Sequence, residues 1–341
     1  MASFKEVATE FEALTQQLRS RLEEWDAKLT PVNDESELDR HLTTLLTEVR
    51  EQHDRMEALV KGDGLDKAQI HALKEVYRRH THEFWTRTGI VNRNITKPRG
   101  YHGDYQTMLY AYEDRYTGTT NLGKCLHRYV TTDRSAFAVR GRRRHLAARI
   151  QAVCARRPGT IFSVACGPAM EVADALRAGA AIRRVVLLDQ DQEALQCAER
   201  NVRPVLPGNT ELALMNIGVA DLITSGEPEL ERLGPYDLIY SAGLYDYLPD
   251  QAALMLNWYL TGLLAEDGLL EVGNFTEFPM GFFTDLVCGM RLILRGEKDL
   301  RQTAPEGVSC EFTRVGDQTF VAMGPRGLPA MREAERPPAF A

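Results

Sequence analysis

The chain has 341 residues, of which 44% are hydrophobic and 26% are charged, and its formal net charge is −7 at pH 7. These values are typical of a globular protein of one or two domains, and the negative charge argues against a nucleic-acid binder. No stretch approaches the ~20 apolar residues of a membrane-spanning helix, and the N-terminus lacks the apolar segment of a secretory signal. We therefore expect a cytoplasmic protein with no nucleic-acid or membrane partner, and a homodimer is compatible with this sequence.

The six cysteines are scattered along the chain and include no C-x-x-C pair. Close-spaced pairs are typical of structural zinc sites, and dense cysteines are typical of small secreted domains. The pattern predicts reduced thiols, no disulfide framework and no metal.

Apolar residues recur at spacings of three and four over residues 4–25, 38–59 and 70–85. This periodicity predicts three amphipathic helices, separated by Thr30-Pro31 and by the glycine-rich break at residues 62–64. Short helices joined by turns favour a small bundle, and a coiled-coil dimerisation arm is the alternative. We assign residues 1–134 to a helical N-terminal domain.

Glycine, proline and aromatic residues dominate residues 97–105. Such a composition predicts a structured loop, and we interpret residues 97–120 as a lid over an active site. In that interpretation His102 and Asp104 are candidate catalytic groups and Tyr105 contacts substrate. The alternative is a linker whose tyrosines pack two domains together.

From residue 135 onward the pattern becomes strand–helix–strand. Buried strands are predicted over residues 160–165 and 184–188, and the turn after the first contains Gly167. Asp189 ends the second strand 22 positions after Gly167. A glycine turn beside a helix N-terminus and an acidic residue at the next strand tip are what a ribose-containing cofactor needs. This pair alone leaves NAD and S-adenosylmethionine open.

Three details favour S-adenosylmethionine. The turn has one glycine and a proline instead of the G-x-G-x-x-G run that makes room for a pyrophosphate. Glu171 would repel a pyrophosphate, whereas a sulfonium and an amino group tolerate a carboxylate. Two predicted strands, at residues 308–315 and 319–323, form a terminal hairpin of the kind that closes the methyltransferase sheet.

Four segments together resemble class I S-adenosylmethionine-dependent methyltransferases: Phe162–Ala169, Leu188–Asp191, Tyr236–Leu248 and Leu264–Phe275. Three segments resemble, more narrowly, bacterial proteins of 3-hydroxypalmitic acid methyl ester biosynthesis: Lys97–Tyr105, Ala138–Arg144 and Ser241–Tyr247. The resemblance runs from about Lys97 to Phe275. It implies an α/β fold in which an antiparallel hairpin closes a Rossmann-like sheet. It also implies that the protein methylates a small molecule. The catalytic domain would span residues 135–326, followed by a flexible tail at 327–341.

The resemblance also implies roles for individual residues. The cofactor would contact Ala165, Cys166 and Gly167 at its methionine end, Asp189 and Gln190 at its ribose, Asn216 and Ile217 at its adenine, and Ser241 and Ala242 near its methyl group. On the acceptor side, Tyr245 is a candidate catalytic or orienting group beside Asp246, and Tyr247, Asn274 and Phe275 are candidate substrate contacts. We expect Cys166 to be a small packed residue, not a nucleophile.

Arginines cluster at residues 140–144. In helical phase Arg140 and Arg143 share a face with Arg144, whereas Arg142 points elsewhere. Arg140 and Arg143 could bind the carboxylate of methionine or of the acceptor, and the alternatives are a solvated helix face and a nucleic-acid surface.

The function predicted from the sequence is O-methylation of a carboxylate or similar acid. The alternatives are an N- or hydroxyl-O-methyltransferase of natural-product biosynthesis, a non-catalytic S-adenosylmethionine-binding module, an NAD-type oxidoreductase and an RNA methyltransferase. The missing glycines count against the oxidoreductase. The acidic balance and the lack of an Asn/Asp-Pro-Pro-Tyr/Phe-type site after strand four count against the RNA enzyme.

Overall fold

The computed structural model describes residues 3–62, 64–113 and 115–324. The helices in chain order are α1 (Phe4–Leu29), α2 (Glu35–Gly62), α3 (Lys67–Trp85), α4 (Gly89–Thr96), α5 (Tyr105–Tyr112), α6 (Asn121–Thr131), α7 (Arg134–Cys154), α8 (Met170–Arg177), α9 (Gln192–Val202), α10 (Val219–Ser225), α11 (Pro228–Leu233), α12 (Asp250–Gly262), α13 (Gly281–Cys288) and α14 (Glu297–Gln302). The strands are β1 (Gly159–Val164), β2 (Ile182–Leu188), β3 (Glu211–Met215), β4 (Tyr236–Ser241), β5 (Leu264–Phe275), β6 (Ser309–Val315) and β7 (Gln318–Gly324).

The chain forms two compact units, one helical and one built on the sheet. Among the described residues, the helical unit contains residues 3–62, 64–103, 110–113, 115–136 and 279–291, and the sheet unit contains residues 104–109, 137–278 and 292–324. The sequence predicted a single boundary between residues 134 and 135. Two segments lie on the other side of that division, because residues 104–109 belong to the sheet unit and residues 279–291 belong to the helical unit. The predicted tail at 327–341 lies outside the described residues.

The N-terminal region is helical, as predicted, and α1 packs against α2 and α3 within the helical unit. Its buried stripe includes Val7, Phe11, Leu18 and Leu22 at helical spacing. Ser3 and Glu6 form a capping box that satisfies free N–H groups at the start of the helix. The packing is that of a bundle, which is wider than predicted because α4, α6 and α13 also belong to it.

A chain of buried hydrogen bonds runs through the core of the helical unit. His53 lies between two hydroxyls, with Nε2 at 2.8 Å from Tyr77 and Nδ1 at 2.9 Å from Tyr129. Trp85 Nε1 donates to the Tyr77 hydroxyl at 2.9 Å, which leaves the Tyr77 proton free to be donated to His53 Nε2. This arrangement favours the tautomer in which Nδ1 of His53 carries the ring proton and donates it to Tyr129. Phe283 packs on the imidazole with a centroid distance of 5.0 Å.

The sheet unit holds one seven-stranded sheet in the order β3-β2-β1-β4-β5-β7-β6. The first five strands are parallel, and β7 is antiparallel to both β5 and β6. The parallel strands are buried apolar runs because helices cover such sheets on both faces, and two apolar clusters accordingly lie against this one. The predicted fold class, a Rossmann-like methyltransferase sheet with a terminal antiparallel hairpin, is confirmed.

One buried carboxylate joins α7 to the middle of the sheet. Glu271 on β5 accepts from Arg149 Nε at 2.6 Å and from His145 Nε2 at 2.7 Å, and all three side chains are buried. Burial opposes the charge on Glu271, but Arg149 and His145 outweigh it and lower the pKa of this carboxyl to about 2. The cluster sets the position of α7 along the strand.

No helix among residues 3–62, 64–113 and 115–324 combines the length and apolar character needed to cross a lipid bilayer.

Removing the charge of Glu271 should destabilise the protein strongly. In Glu271→Gln the Arg149 guanidinium stays buried without its counter-ion, and we expect a loss of about 3–5 kcal/mol in the free energy of unfolding. Urea unfolding followed by circular dichroism measures it. Glu211→Gln is the matched control, because Glu211 pairs with Arg184 at the surface and an exposed pair contributes at most about 1 kcal/mol. Equal losses in the two variants would contradict a special role for the buried cluster.

The His53 ring should stay neutral over the physiological pH range. Burial and then the nearby Arg50 lower the pKa of His53 to about 3, so its neutral form favours folding and this contribution is lost only as pH falls from the ordinary value of 6.5 towards 3. Nitrogen-15 spectra of labelled histidines should show one Nδ1–H ring that does not titrate from about pH 8 to about pH 5. The signal is assigned by its absence from His53→Gln. A titrating ring or an Nε2–H tautomer at this position would contradict the network.

Candidate active site

The turn after β1 has an unusual backbone. Ala165, Gly167 and Ala169 all have positive φ angles, of 53°, 52° and 47°. Such angles strain an alanine, and strained residues of this kind cluster at functional sites. A Cβ placed on Gly167 would meet no atom within 4 Å, so open space lies directly over the backbone of the turn. The turn can therefore hold a ligand against its main chain.

Asp189 at the tip of β2 is locked to this turn. Its Oδ2 accepts from the Gly167 N–H at 2.9 Å, and its Oδ1 accepts from the Asp191 N–H at 3.0 Å. Burial raises the pKa of Asp189 in spite of these N–H groups. The sequence spacing that suggested a shared ligand site is thus realised as a direct contact between the two residues.

The Asn216 side chain braces the end of β2. Its amide donates to the backbone carbonyls of Asp189 at 3.0 Å and of Gln190 at 2.9 Å. Gln190 and Asn216 are exposed, and Ile217 is partly buried against the apolar cluster beside β1 and β4. Asn216 therefore fixes the backbone at Asp189 and Gln190 through its side-chain hydrogen bonds.

Small side chains line the turn and the end of β4. Burial, and then Asp189, raise the pKa of the Cys166 thiol well above its ordinary value, so the thiol stays protonated and is unsuited to act as a nucleophile. Ser241 is fully buried, and its Oγ has no hydrogen-bond partner among the described residues. Ala242 is partly exposed. Buried hydroxyls normally have a partner, so the unsatisfied Ser241 Oγ fits a ligand group.

Glu171 follows the turn and is buried. It accepts from the Tyr240 hydroxyl at 2.7 Å, and burial raises its pKa. A carboxyl at this place disfavours a pyrophosphate, as the sequence suggested, and is compatible with a cationic ligand group.

The arginines of α7 point in different directions. Arg143 forms two hydrogen bonds to Asp174 on α8, at 2.6 and 2.9 Å, and Arg140 lies over the exposed Phe137 ring at 4.8 Å. Arg142, by contrast, is buried, and its guanidinium lies over Gly243 in the loop after β4. The geometry therefore favours Arg142 over the predicted Arg140 and Arg143 as a ligand-binding arginine of this unit.

The loop after β4 carries three side chains with different surroundings. The Tyr245 hydroxyl donates to Asn257 Oδ1 at 2.5 Å inside the core, so its placement favours a packing role over a catalytic one. Asp246 accepts from the Phe275 N–H at 2.7 Å, and burial raises its pKa to about 7. Tyr247 is 41% exposed. Asp246 is thus a carboxyl that can exchange a proton near neutral pH.

Arg295 binds the backbone of the same loop, the one after β4. Its guanidinium donates to the carbonyls of Tyr245 and Leu248, both at 2.6 Å, and to Asn274 Oδ1 at 3.0 Å. Asn274 is fully buried and its amide donates to the carbonyls of Phe275 and Ile293, and Phe275 is buried with its ring near Phe278. The predicted contacts Asn274 and Phe275 therefore support the site and do not project from it.

The predicted lid, residues 97–120, is divided between the helical unit and the sheet unit. Tyr105–Tyr112 forms α5, where a loop was expected, and Asp104 caps this helix by accepting from the Thr107 N–H at 3.0 Å. Within the sheet unit, the Tyr105 hydroxyl donates to Glu193 Oε2 at 3.4 Å, beside the tip of β2. His102 belongs to the helical unit, where burial and then Lys97 lower its pKa. The cap explains Asp104 without a catalytic role.

Sequence reasoning missed Arg142 and Arg295. Arg142 lies four and eight residues before Leu146 and Ile150, so it shares the phase of the buried stripe, and this spacing was the available signal. No local pattern marks Arg295, because its partners come from distant parts of the chain.

The residues of the sheet unit fit a nucleoside-type cofactor. The fit rests on the open space over Gly167, the Asp189 carboxylate beside it and the unsatisfied Ser241 Oγ. Among the described residues, no group of three or more His, Cys, Asp and Glu side chains is arranged to hold a metal ion.

No family model matches the chain, and no curated protein matches it. Among solved structures, the chain is similar to a protein from Bordetella parapertussis described as a possible exported protein, at 21% identity and a TM-score of 0.54, covering 86% of this chain and 99% of the other. A weaker similarity is to magnesium protoporphyrin IX methyltransferase from Synechocystis PCC 6803 with bound SAH, at 14% identity and a TM-score of 0.45, covering 75% of this chain and 99% of the other. Another is to the N-methyltransferase NodS from Bradyrhizobium japonicum WM9, at 13% identity and a TM-score of 0.38, covering 54% of this chain and 97% of the other. At this level of identity, the likeness to the Bordetella protein shows a common fold.

Proposed function

We propose that this chain is an S-adenosylmethionine-dependent methyltransferase that transfers a methyl group to an oxygen of a small-molecule acid. The observation that carries the proposal is the direct contact between the open turn at Gly167 and the Asp189 carboxylate. In this proposal the methionine end of the cofactor lies over residues 165–167, and Asp189 accepts hydrogen bonds from the ribose hydroxyls. Gln190, Asn216 and Ile217 border the adenine, and Ser241 and Ala242 lie near the methyl group.

When bound, S-adenosylmethionine supplies a methyl group on a positively charged sulfur, and this sulfur is the leaving group when an acceptor oxygen bonds to the methyl carbon. The protein must align the acceptor and exclude water. An ionised carboxylate is already a nucleophile and needs no base from the protein. The open space over Gly167 leaves room for a bound ligand, and the buried Glu171 favours a positive charge nearby. A 3-hydroxy fatty acid has such a carboxylate, and we choose it as a probe because residues 97–275 resemble proteins of 3-hydroxypalmitic acid methyl ester biosynthesis.

A hydroxyl acceptor is the second candidate, and Asp246 supports it. A hydroxyl must lose a proton as it is methylated, and a buried carboxyl with a pKa of about 7 can accept that proton near neutral pH. His102 and Asp104 are not needed for a carboxylate acceptor.

The cofactor assignment can be tested by calorimetry. We expect the intact protein to bind S-adenosylmethionine with micromolar affinity and Asp189→Ala to lose at least about tenfold, because both the ribose acceptor and the brace on Gly167 are removed. Asp267→Ala is the control, since Asp267 is half-exposed and pairs with Arg157 at the surface. Mass spectrometry of the denatured protein checks for copurified nucleoside. An intact protein that neither binds S-adenosylmethionine nor carries it would overturn the proposal.

The acceptor chemistry can be tested with methyl-labelled S-adenosylmethionine and 3-hydroxypalmitate as the probe. Transfer to the carboxylate gives an ester, so mild alkali should release the label as methanol. Transfer to the hydroxyl gives an ether that retains the label after the same treatment. We expect the alkali-labile product, and a stable label would favour the hydroxyl acceptor in its place.

A further inference from the structure

Three arginines of the described chain are buried, and two of them are fully paired. Arg149 binds Glu271, and Arg295 binds Asp250 together with several backbone carbonyls. Arg142 is only 5% exposed and forms no ion pair within 4.0 Å among the described residues. Its Nε is buried without a partner, and its Nη2 reaches only the sulfur of Met108, at 2.9 Å. A thioether is a weak acceptor, so most of the hydrogen-bonding capacity of this guanidinium is unused.

The position of Arg142 points to a ligand. Its Nη1 and Nη2 lie 3.0 and 3.1 Å from the place a Cβ would occupy on Gly243, so the guanidinium lies directly on the loop that follows β4. Ser241, two residues before Gly243, is the other buried polar group of this loop region without a partner. Two unsatisfied donors therefore occur together at the carboxyl end of β4, the edge where parallel α/β sheets bind ligands.

Charge decides which kind of ligand fits. Burying an unpaired guanidinium is costly, and a carboxylate is its best partner because two parallel N–H···O bonds can form. Glu171 and Asp246 both lie within electrostatic range of Arg142, yet their hydrogen bonds go to the Tyr240 hydroxyl and to the Phe275 N–H. Neither carboxyl neutralises Arg142 by direct contact, so the counter-ion has to come from elsewhere.

We propose that Arg142 binds a carboxylate of a bound ligand at the end of β4. This inference rests on the proposed function, which offers two sources of that group. One is the α-carboxylate in the methionine part of S-adenosylmethionine, and the other is the carboxylate of an acid acceptor.

The test uses the full-length protein with Arg142→Met, which keeps an unbranched side chain and removes the charge. Arg144→Met is the matched control, because Arg144 lies on the same helix and is exposed. Calorimetry compares S-adenosylmethionine with decarboxylated S-adenosylmethionine. If the cofactor supplies the carboxylate, Arg142→Met should weaken S-adenosylmethionine binding by about 10- to 100-fold and leave the decarboxylated form unchanged.

A second titration tests the acceptor as the source. The protein is first saturated with S-adenosylhomocysteine, and 3-hydroxypalmitate is then compared with its methyl ester. If the acceptor supplies the carboxylate, Arg142→Met should weaken binding of the acid by the same factor, with cofactor binding unchanged. Arg144→Met should behave like the intact protein in both titrations.

Thermal unfolding separates this role from a structural one. Replacing a buried, unpaired charge with an apolar side chain should leave the ligand-free protein as stable as before or more stable. A variant that is stable but binds one carboxylate probe poorly supports the proposal. Unchanged affinities for both acids, with normal binding of S-adenosylmethionine by the intact protein, would overturn it and leave the proposed function standing. An intact protein that binds no S-adenosylmethionine would overturn both.

Discussion

The sheet unit depends on the buried charge of Glu271. A buried carboxylate on β5 is unfavourable unless hydrogen-bond donors and a cation meet it, and here the Arg149 guanidinium and the His145 ring both come from α7. The positions of His145 and Arg149, one helical turn apart, fix how far α7 is rotated and how far it is displaced along β5. Arg142 lies one turn before His145, so the same constraint places its guanidinium over Gly243. An ordinary apolar contact would hold the helix less specifically.

A second polar connection joins the loop after β4 to the end of β5. Arg295 comes from the segment after α13, and it binds the backbone of the loop after β4 and the Asn274 side chain at the end of β5. Asp246 adds a bond from the same loop to the Phe275 N–H. Loops at the ends of strands are usually mobile, but these bonds tie the loop after β4 to the end of β5. Some polar residues of this region thus connect the two segments by hydrogen bonds, whereas Arg142 and Ser241 have unused hydrogen-bonding capacity.

The sequence predicted the fold well because most of its signals are local. Buried strands appear as apolar runs, the β1 turn is marked by Gly167, and the terminal hairpin is marked by a short turn at residues 316–317. The contact between Gly167 and Asp189 followed from spacing alone, because adjacent parallel strands place their carboxyl ends at one edge. The helical stripes of α1, α2 and α3 were equally local.

The site was harder to predict because its decisive features are long-range. Arg142 shares the phase of Leu146 and Ile150, but a charged residue is normally assigned to the solvated face, so the sequence pointed to Arg140 and Arg143 and not to Arg142. Phe283 follows β5 by only eight residues in the sequence, yet it packs with His53 in the helical unit. Such placements depend on partners more than a hundred residues away.

Buried polar groups near the end of β4 differ in how far their hydrogen bonds are satisfied. Glu271, His53, Arg295 and Asn274 are buried polar residues whose bonds are complete or nearly so, and each connects elements of its own unit. Arg142 and Ser241 are as deeply buried, but they have unused donors and face the end of β4. Folding alone does not explain such groups, since an apolar residue would cost less at either position. A ligand with an anionic group beside Arg142 and a hydrogen-bonding group beside Ser241 would complete these bonds.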